Sequence, residues 1–139
     1  MNDFVLDCSV AASWCFPDEQ TAYTNGALRS LRSGQHRVVA PTLVVFEVTN
    51  SVLTGVRKKR ITSTHATAFL QAFSKLPLVL DDTCVVTDLF GISERYGLTA
   101  YDAAYLEVAL RLKLPIATLD RRLSNAAFDA GLRVYQPVL

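Results

Sequence analysis

Short apolar runs that alternate with longer helical patterns are the feature that most restricts the fold of this chain. Most of the runs are only three residues long, are rich in Val and Leu, and do not alternate with polar residues. Such runs are typical of strands that are buried on both faces of a parallel sheet. The predicted strands cover residues 4–6, 38–40, 78–80, 115–119 and 133–135.

Helical patterns fill the stretches between the predicted strands. Several end at a glycine, such as Gly34 or Gly131, which is common just beyond a helix C-terminus. Strands that alternate with helices predict an α/β fold with a mostly parallel sheet, and 139 residues suit one domain over 1–139. The predicted helices cover residues 20–33, 42–57, 64–73, 83–96, 101–112 and 121–130.

Composition excludes few classes of function. Fourteen Lys and Arg against thirteen Asp and Glu give a net charge of +1, which neither indicates nor excludes a nucleic-acid partner. The three cysteines have no paired spacing, so we expect a reduced, cytoplasmic protein with neither a disulfide framework nor a zinc site. We expect no signal peptide and no membrane segment, because no apolar run approaches the required length.

Four carboxylates map to one edge of the predicted sheet. Asp7 and Asp120 each follow an apolar run, whereas Glu47 and Asp102 lie in the first turns of predicted helices. The carboxyl edge of a parallel sheet is where such folds bind ligands. Each residue alone also has a structural explanation, because Asp7 and Asp120 suit helix N-caps and Thr99 with Asp102 has the spacing of a capping box.

Considered together, the four carboxylates predict a metal site. Converging carboxylates repel one another unless a cation balances them, and Mg²⁺ and Mn²⁺ prefer oxygen ligands. A site with no His or Cys fits Mg²⁺-dependent phosphoryl chemistry better than zinc chemistry. The hydroxyls of Ser9 and Thr118 and the amide of Asn50 could orient ligands there, with ordinary capping and packing as the alternative.

The chain resembles the PIN-domain ribonucleases, specifically the VapC-type toxins of bacterial toxin–antitoxin pairs. A D-x-S opening, an E-x-x-N helix, a Y-D-A-A-Y-L helix and a T-x-D ending form a specific signal only in combination. Cys8 departs from the family, which often has a small Ala there, and we expect it to be tolerated. The matching segments, in order over nearly the whole chain, are VLDCSVAASWCFPDE, APTLVVFEVTNSV, LTAYDAAYLEVALRL and ATLDRRL.

The resemblance implies a three-layer α/β/α sandwich that forms a homodimer. It implies hydrolysis of RNA with Mg²⁺ or Mn²⁺, leaving a 5′-phosphate and a 3′-hydroxyl, and inhibition by a cognate antitoxin protein. By the same resemblance, the catalytic and metal-binding residues are Asp7, Glu47, Asp102 and Asp120, and the supporting residues are Ser9, Asn50 and Thr118.

Two basic segments are candidates for RNA contact. Arg121 and Arg122 follow Asp120 directly, so they could contact RNA or balance the acidic cluster. The run at 57–60 could hold RNA phosphates, although cations at a helix C-terminus are also common for structural reasons.

Other interpretations use some of the same residues. Asp81 and Asp82 also follow an apolar run, and we expect them to cap a helix that begins near Thr83. A haloacid-dehalogenase-like phosphatase requires D-x-D, but Ser9 occupies the second position. A non-catalytic PIN-like module that binds RNA or protein is the remaining alternative, and an unused acidic cluster would destabilise such a module.

Overall fold

A sheet of four parallel strands lies at the centre of residues 3–137, the part of the chain that this computed structural model describes. The strands are β1 (Phe4–Leu6), β2 (Val38–Pro41), β3 (Leu78–Asp81) and β4 (Ile116–Ala117). The α-helices described are α1 (Cys8–Ser13), α2 (Ala22–Ser33), α3 (Leu43–Arg57), α4 (Ser63–Ser74), α5 (Val86–Tyr96), α6 (Ala100–Leu112) and α7 (Arg121–Asp129), with a short 3₁₀ helix at Pro17–Glu19.

The order of the strands creates a switch point beside β1. The order in the sheet is β3-β2-β1-β4, so the chain first adds strands on one side of β1 and then crosses to the other. Val5 is in register with Val39 of β2 and with Ile116 of β4. In open parallel sheets, the crevice for ligands lies where the order reverses, at the carboxyl ends of the strands. Here that position is the end of β1.

Helices cover both faces of the sheet. Because crossovers between parallel strands are right-handed, α1 to α4 lie on one face, while α5 and α6 lie on the other. Helix α6 packs on β1, β2 and β4, and α7 packs on α6. The side chains of β1 and β2 are buried, as expected for strands with a helix layer on each face. The predicted three-layer α/β/α sandwich is confirmed.

The structure corrects several predicted element bounds. The predicted strand at 133–135 is reduced to a single bridge between Ile116 and Val134, and β4 ends at Ala117 rather than at residue 119. Strand β3 was expected to be buried on both faces, but Val79 is 49% exposed. It lies at the edge of the sheet, where no further described strand covers it. No helix within residues 3–137 is long and apolar enough to span a bilayer.

Helix α3 approaches the end of α1 through a glycine. A Cβ built on Gly55 would lie 2.5 Å from Cε1 of Phe16, whose ring is buried beyond α1. The only side chain that fits this contact without displacing the ring is hydrogen. The close packing matters because α3 carries Glu47 and α1 follows Asp7 directly.

We predict that Gly55→Ala destabilises the protein by about 1–3 kcal/mol, because the added methyl group overpacks the ring of Phe16. Gly91→Ala is the matched control. Gly91 also lies inside a helix, but a Cβ there meets nothing within 4 Å, so the better helix propensity of Ala should add up to about 1 kcal/mol. Urea denaturation measures both changes, and a Gly55→Ala variant as stable as Gly91→Ala would contradict the close approach.

Candidate active site

Asp7 is the most deeply buried carboxylate of the predicted site, with 5% of its surface exposed. It follows β1 and caps α1, because its Oδ2 accepts the backbone N–H of Ser9 at 3.3 Å. The same oxygen accepts the hydroxyl of Ser9 at 2.5 Å and that of Thr118 at 2.8 Å. The residue is therefore an N-cap, as its sequence position suggests, and it also lies at the carboxyl edge of the sheet.

Ser9 and Thr118 join the end of β1 to the end of β4. The Ser9 hydroxyl oxygen accepts the backbone N–H of Leu119 at 2.8 Å, and the Thr118 hydroxyl oxygen accepts that of Asp120 at 3.0 Å. Beyond Ala117 the backbone thus bonds to side chains rather than to a neighbouring strand. This explains why β4 is shorter than predicted, and it keeps the backbone of Asp120 at the Thr118 hydroxyl that binds Asp7.

Glu47 is held by a tyrosine from the opposite helix layer. Its Oε1 accepts the hydroxyl of Tyr105 at 2.6 Å. Val44 and Val48 bury one face of α3, and Glu47 is half-buried beside that face. Tyr105 lies on α6 one turn after Asp102, so a single helix supplies one carboxylate and positions another.

Asp102 and Asp120 each lie at a helix N-terminus. The Thr99 hydroxyl accepts the backbone N–H of Asp102 at 3.1 Å, which is one half of the predicted capping box. Asp120 caps α7, since its Oδ1 accepts the N–H groups of Arg122 and Leu123 at 2.8 and 3.3 Å. Helix N-termini favour ionised carboxylates, so capping and ligand binding are compatible here.

The electrostatics place these carboxylates within interaction range of one another. Burial raises the pKa of Asp7, and repulsion from Asp102 raises it further. Burial is also the main cause of the raised pKa of Glu47, with smaller contributions from Asp7 and Asp102. The pKa of Asp102 is raised by burial and then by Asp120. Asp102 therefore interacts with each of the other three carboxylates.

Three of the carboxylates use one oxygen for structure and leave the other open. Within the described residues, all hydrogen bonds to Asp7 end on Oδ2, that to Glu47 ends on Oε1, and those to Asp120 end on Oδ1. The second oxygen of each of these side chains accepts no hydrogen bond from residues 3–137. Each carboxylate is thus fixed in position while it keeps an acceptor for a ligand.

The donor chemistry suits a hard divalent cation, although the site is not a closed cage. In residues 3–137, no three His, Cys, Asp or Glu side chains lie close enough to enclose a metal ion by themselves. Mg²⁺ is commonly bound by one or two carboxylates, with waters and substrate phosphates as its other ligands. An open group of carboxylate oxygens fits that mode of binding.

Cys8 does not add a thiolate to this group. Burial raises the pKa of its thiol to about 12, and Asp7 and Glu47 contribute in the same direction. In the metal-free protein the thiol is therefore neutral at pH 7. It lies 3.9 Å from the Ser51 hydroxyl, between α1 and α3. This agrees with the expectation that Cys8 is tolerated as a small side chain.

The predicted RNA-contact residues border the acidic cluster. Arg121 and Arg122 line a cleft of about 540 Å³ with Asp102, Asp120 and Asn125. Both arginines are exposed, and Arg122 lowers the pKa of Asp102, which opposes the effect of burial.

Asn50 occupies a different cleft from the two arginines. It is exposed on α3 and lies with Ser9 and Leu119 along that cleft, without a hydrogen bond to Asp7 or Glu47. The structure therefore does not bring it into direct contact with the carboxylates it was predicted to support.

The prediction that Asp81 and Asp82 cap the next helix is wrong, because the N-cap of α5 is Val85. Asp81 accepts the backbone N–H of Thr83 in a turn, but α5 begins only at Val86. Its main partner is Arg111, which donates to both carboxylate oxygens at 2.7 and 3.0 Å and lowers the pKa of Asp81 to about 2. Arg111 also binds the buried Glu107, so the group joins β3 to α6.

Tyr105 is the site residue that sequence analysis did not identify. It lies within the Y-D-A-A-Y-L segment, three positions after Asp102, which puts the two side chains on one face of α6. That spacing was the available signal. A buried tyrosine at such a position needs a partner for its hydroxyl, and Glu47 provides it.

Comparison with known proteins identifies the family. The family description "PIN domain" matches residues 4–129, and the chain belongs to the PIN-domain family. Among curated proteins, it is 28% identical over 124 residues to Ribonuclease VapC3 of Pyrobaculum aerophilum, covering 87% of this chain and 92% of that protein. The resemblance stated from the sequence motifs is confirmed.

A solved structure supports the fold independently. The crystal structure of PAE2754 from Pyrobaculum aerophilum aligns with a TM-score of 0.68, over 89% of this chain and 78% of that one. The sequence identity is 21%, so this likeness bears on the fold alone. It agrees with the parallel sheet and the two helix layers described above.

We predict that Tyr105→Phe raises the pKa of Glu47, because the tyrosine hydroxyl stabilises the ionised carboxylate. Losing this bond should also lower the free energy of unfolding by about 1–3 kcal/mol. Carbon-13 NMR titration of labelled Glu carboxyl groups in metal-free protein measures the pKa.

Tyr135→Phe is the matched control for this change. Tyr135 is also buried, but its hydroxyl bonds to Ser30 at 2.7 Å rather than to a carboxylate. The Tyr135→Phe variant should be less stable than the parent protein, but the titration of Glu47 should be unchanged. Identical titration curves for Tyr105→Phe and the parent protein would show that the hydroxyl does not hold Glu47.

Proposed function

We propose that this chain is a divalent-metal-dependent endoribonuclease and the toxin of a toxin–antitoxin pair. The observation that carries the proposal is the set of carboxylates at the switch point, three of which are fixed through one oxygen and keep the other open. The PIN-domain membership and the similarity to a protein named as a ribonuclease support the same activity.

Asp7, Glu47, Asp102 and Asp120 are the residues that would hold Mg²⁺, with Mn²⁺ as a substitute. When bound, the cation supplies a Lewis acid that neutralises charge on the phosphate and lowers the pKa of the attacking water. Ser9 and Thr118 hold Asp7 through its Oδ2, so that Oδ1 remains available. Tyr105 holds Glu47 in the same way through Oε1.

The reaction is an in-line displacement at phosphorus. Water attacks, the 3′ oxygen of the ribose leaves, and the products are a 5′-phosphate and a 3′-hydroxyl. One carboxylate of the set accepts the proton of the water. Arg121 and Arg122 bind the RNA backbone in the cleft that also contains Asp102 and Asp120.

The proposed partners are RNA, a cognate antitoxin and a second copy of the chain, all in the cytoplasm. Large exposed apolar side chains support a protein partner, since a partner that covers them removes apolar surface from water. Phe46 is 70% exposed on α3, and Val86 and Phe90 are exposed on α5. A homodimer that covers such residues would explain why they are apolar.

We predict that the purified chain cleaves RNA in the presence of Mg²⁺ or Mn²⁺ and that EDTA abolishes this cleavage. Asp7→Asn should lower the cleavage rate at least about 100-fold, because it removes the charge of the most buried carboxylate but keeps a similar shape. Cleavage is followed on total RNA and on defined single strands. Circular dichroism verifies that the variant is folded.

Asp82→Asn is the matched control for this substitution. Asp82 is exposed beyond the end of β3 and should leave the rate unchanged. Equal cleavage by Asp7→Asn and the parent protein would refute the assignment of the site. A folded parent protein that binds Mg²⁺ and RNA but cleaves no RNA would instead favour the non-catalytic binding module.

We also predict that Mg²⁺ and Mn²⁺ raise the melting temperature of the parent protein. A ligand that binds only the folded state stabilises it by RT ln(1 + [L]/Kd), about 2.7 kcal/mol at one hundred times Kd. The metal also relieves repulsion among Asp7, Glu47 and Asp102. Differential scanning fluorimetry should show a smaller shift for Asp7→Asn. An equal shift in both proteins would place the binding elsewhere.

A further inference from the structure

Two clefts border the acidic cluster, and they have no lining residue in common. One contains Asp102, Asp120 and the two arginines already discussed. The other, of about 500 Å³, lies between α1 and α3 and includes Ser9, which binds Asp7, and Leu119, which precedes Asp120. Its volume is within the usual range of small-ligand sites. We call it the α3 cleft, and the proposed mechanism does not use it.

A polar stripe on α3 leads from Glu47 into this cleft. Asn50, Thr54 and Lys58 follow Glu47 at intervals of three or four residues, so they lie along one side of the helix. All three line the α3 cleft. From Glu47 to Lys58 the stripe extends for about 16 Å, at 1.5 Å per helical residue. The neighbouring face of α3 is apolar and buried at Val44, Val48 and Val52.

Two cations line the α3 cleft, and only one is neutralised by partners. Arg60 binds Asp18 and Glu19 at 3.2 and 2.8 Å, and its guanidinium lies 4.3 Å from the centre of the Phe16 ring. Lys58 is exposed and forms no ion pair with any residue from 3 to 137. The free positive charge of the cleft is therefore that of Lys58.

We infer that the α3 cleft is a second RNA subsite, in which Lys58 binds a phosphate of the single strand away from the scissile bond. Asn50 offers amide groups to a base edge, and the fixed guanidinium of Arg60 is a planar surface on which a base stacks. The strand then extends from the arginines at the start of α7, past the carboxylates, to the end of α3. This inference rests on the proposed function.

The test compares Lys58→Gln with Lys59→Gln in an Asp7→Asn background, so that RNA stays intact. Lys59 is the matched control, because it is the neighbouring exposed lysine but does not line the cleft. The probe is a fluorescein-labelled single-stranded RNA of twelve nucleotides in Mg²⁺ buffer. Fluorescence anisotropy gives Kd at several NaCl concentrations, and thermal melting verifies that both variants are folded.

We expect Lys58→Gln to weaken binding about 3- to 10-fold and to reduce the slope of log K against log salt by about 0.7, the value for one phosphate contact on a single strand. Lys59→Gln should change neither quantity by as much. In the active chain, Lys58→Gln should raise KM and leave kcat unchanged, because the contact is remote from the reacting bond.

Equal affinities and equal salt slopes for the two variants would overturn the inference while leaving the proposed activity intact. Absence of RNA binding by the Asp7→Asn parent at low salt would overturn it as well. Failure of the proposed activity has a different signature, in which the chain binds RNA and metal but does not cleave. If Lys58→Gln still weakened RNA binding more than Lys59→Gln in that case, the α3 cleft would be the RNA site of a non-catalytic binding module.

Discussion

The site depends on the hydrogen bonds that Ser9 and Thr118 donate to the buried carboxylate of Asp7. Removing a carboxylate from water is costly, and hydrogen bonds from Ser9 and Thr118 offset only part of this cost, since the pKa of Asp7 is still raised. Those donors come from the start of α1 and the end of β4. The side chain of Asp7 therefore joins three elements, namely β1, α1 and β4, at the switch point.

The same arrangement brings like charges together, which is electrostatically unfavourable. Asp102 repels Asp7 and is itself repelled by Asp120, while burial raises the pKa values of Asp7 and Asp102. Helix N-termini at Asp7, Asp102 and Asp120 compensate in part, because their free N–H groups favour negative charge. The cation of the proposed nuclease would complete this compensation by neutralising the carboxylates that repel one another.

Local patterns placed the four acidic residues at one edge of the sheet and put the hydroxyls of Ser9 and Thr118 near Asp7, but they did not reveal partners on other helices. Asp7 and Asp120 were found from the strands that precede them, and both lie at helix N-caps as well. Tyr105 was missed because its contact with Glu47 spans 58 positions of sequence. Asp81 was assigned wrongly for a related reason, since an aspartate that precedes a turn and one that caps a helix look alike, and Arg111 lies 30 positions away.

The burial of β3 was also predicted wrongly because local sequence does not show what lies beside a strand. Its apolar sequence resembles that of β1, but burial depends on what lies beside a strand, and β3 is the outermost described strand on its side of the sheet. The open geometry of the acidic group also depends on partners. Because the described residues do not enclose a metal by themselves, waters and the RNA phosphate would supply the remaining ligands in the proposed nuclease. Metal and RNA would then bind cooperatively, so side chains that hold the strand on either side of the carboxylates would also increase the affinity for the ion.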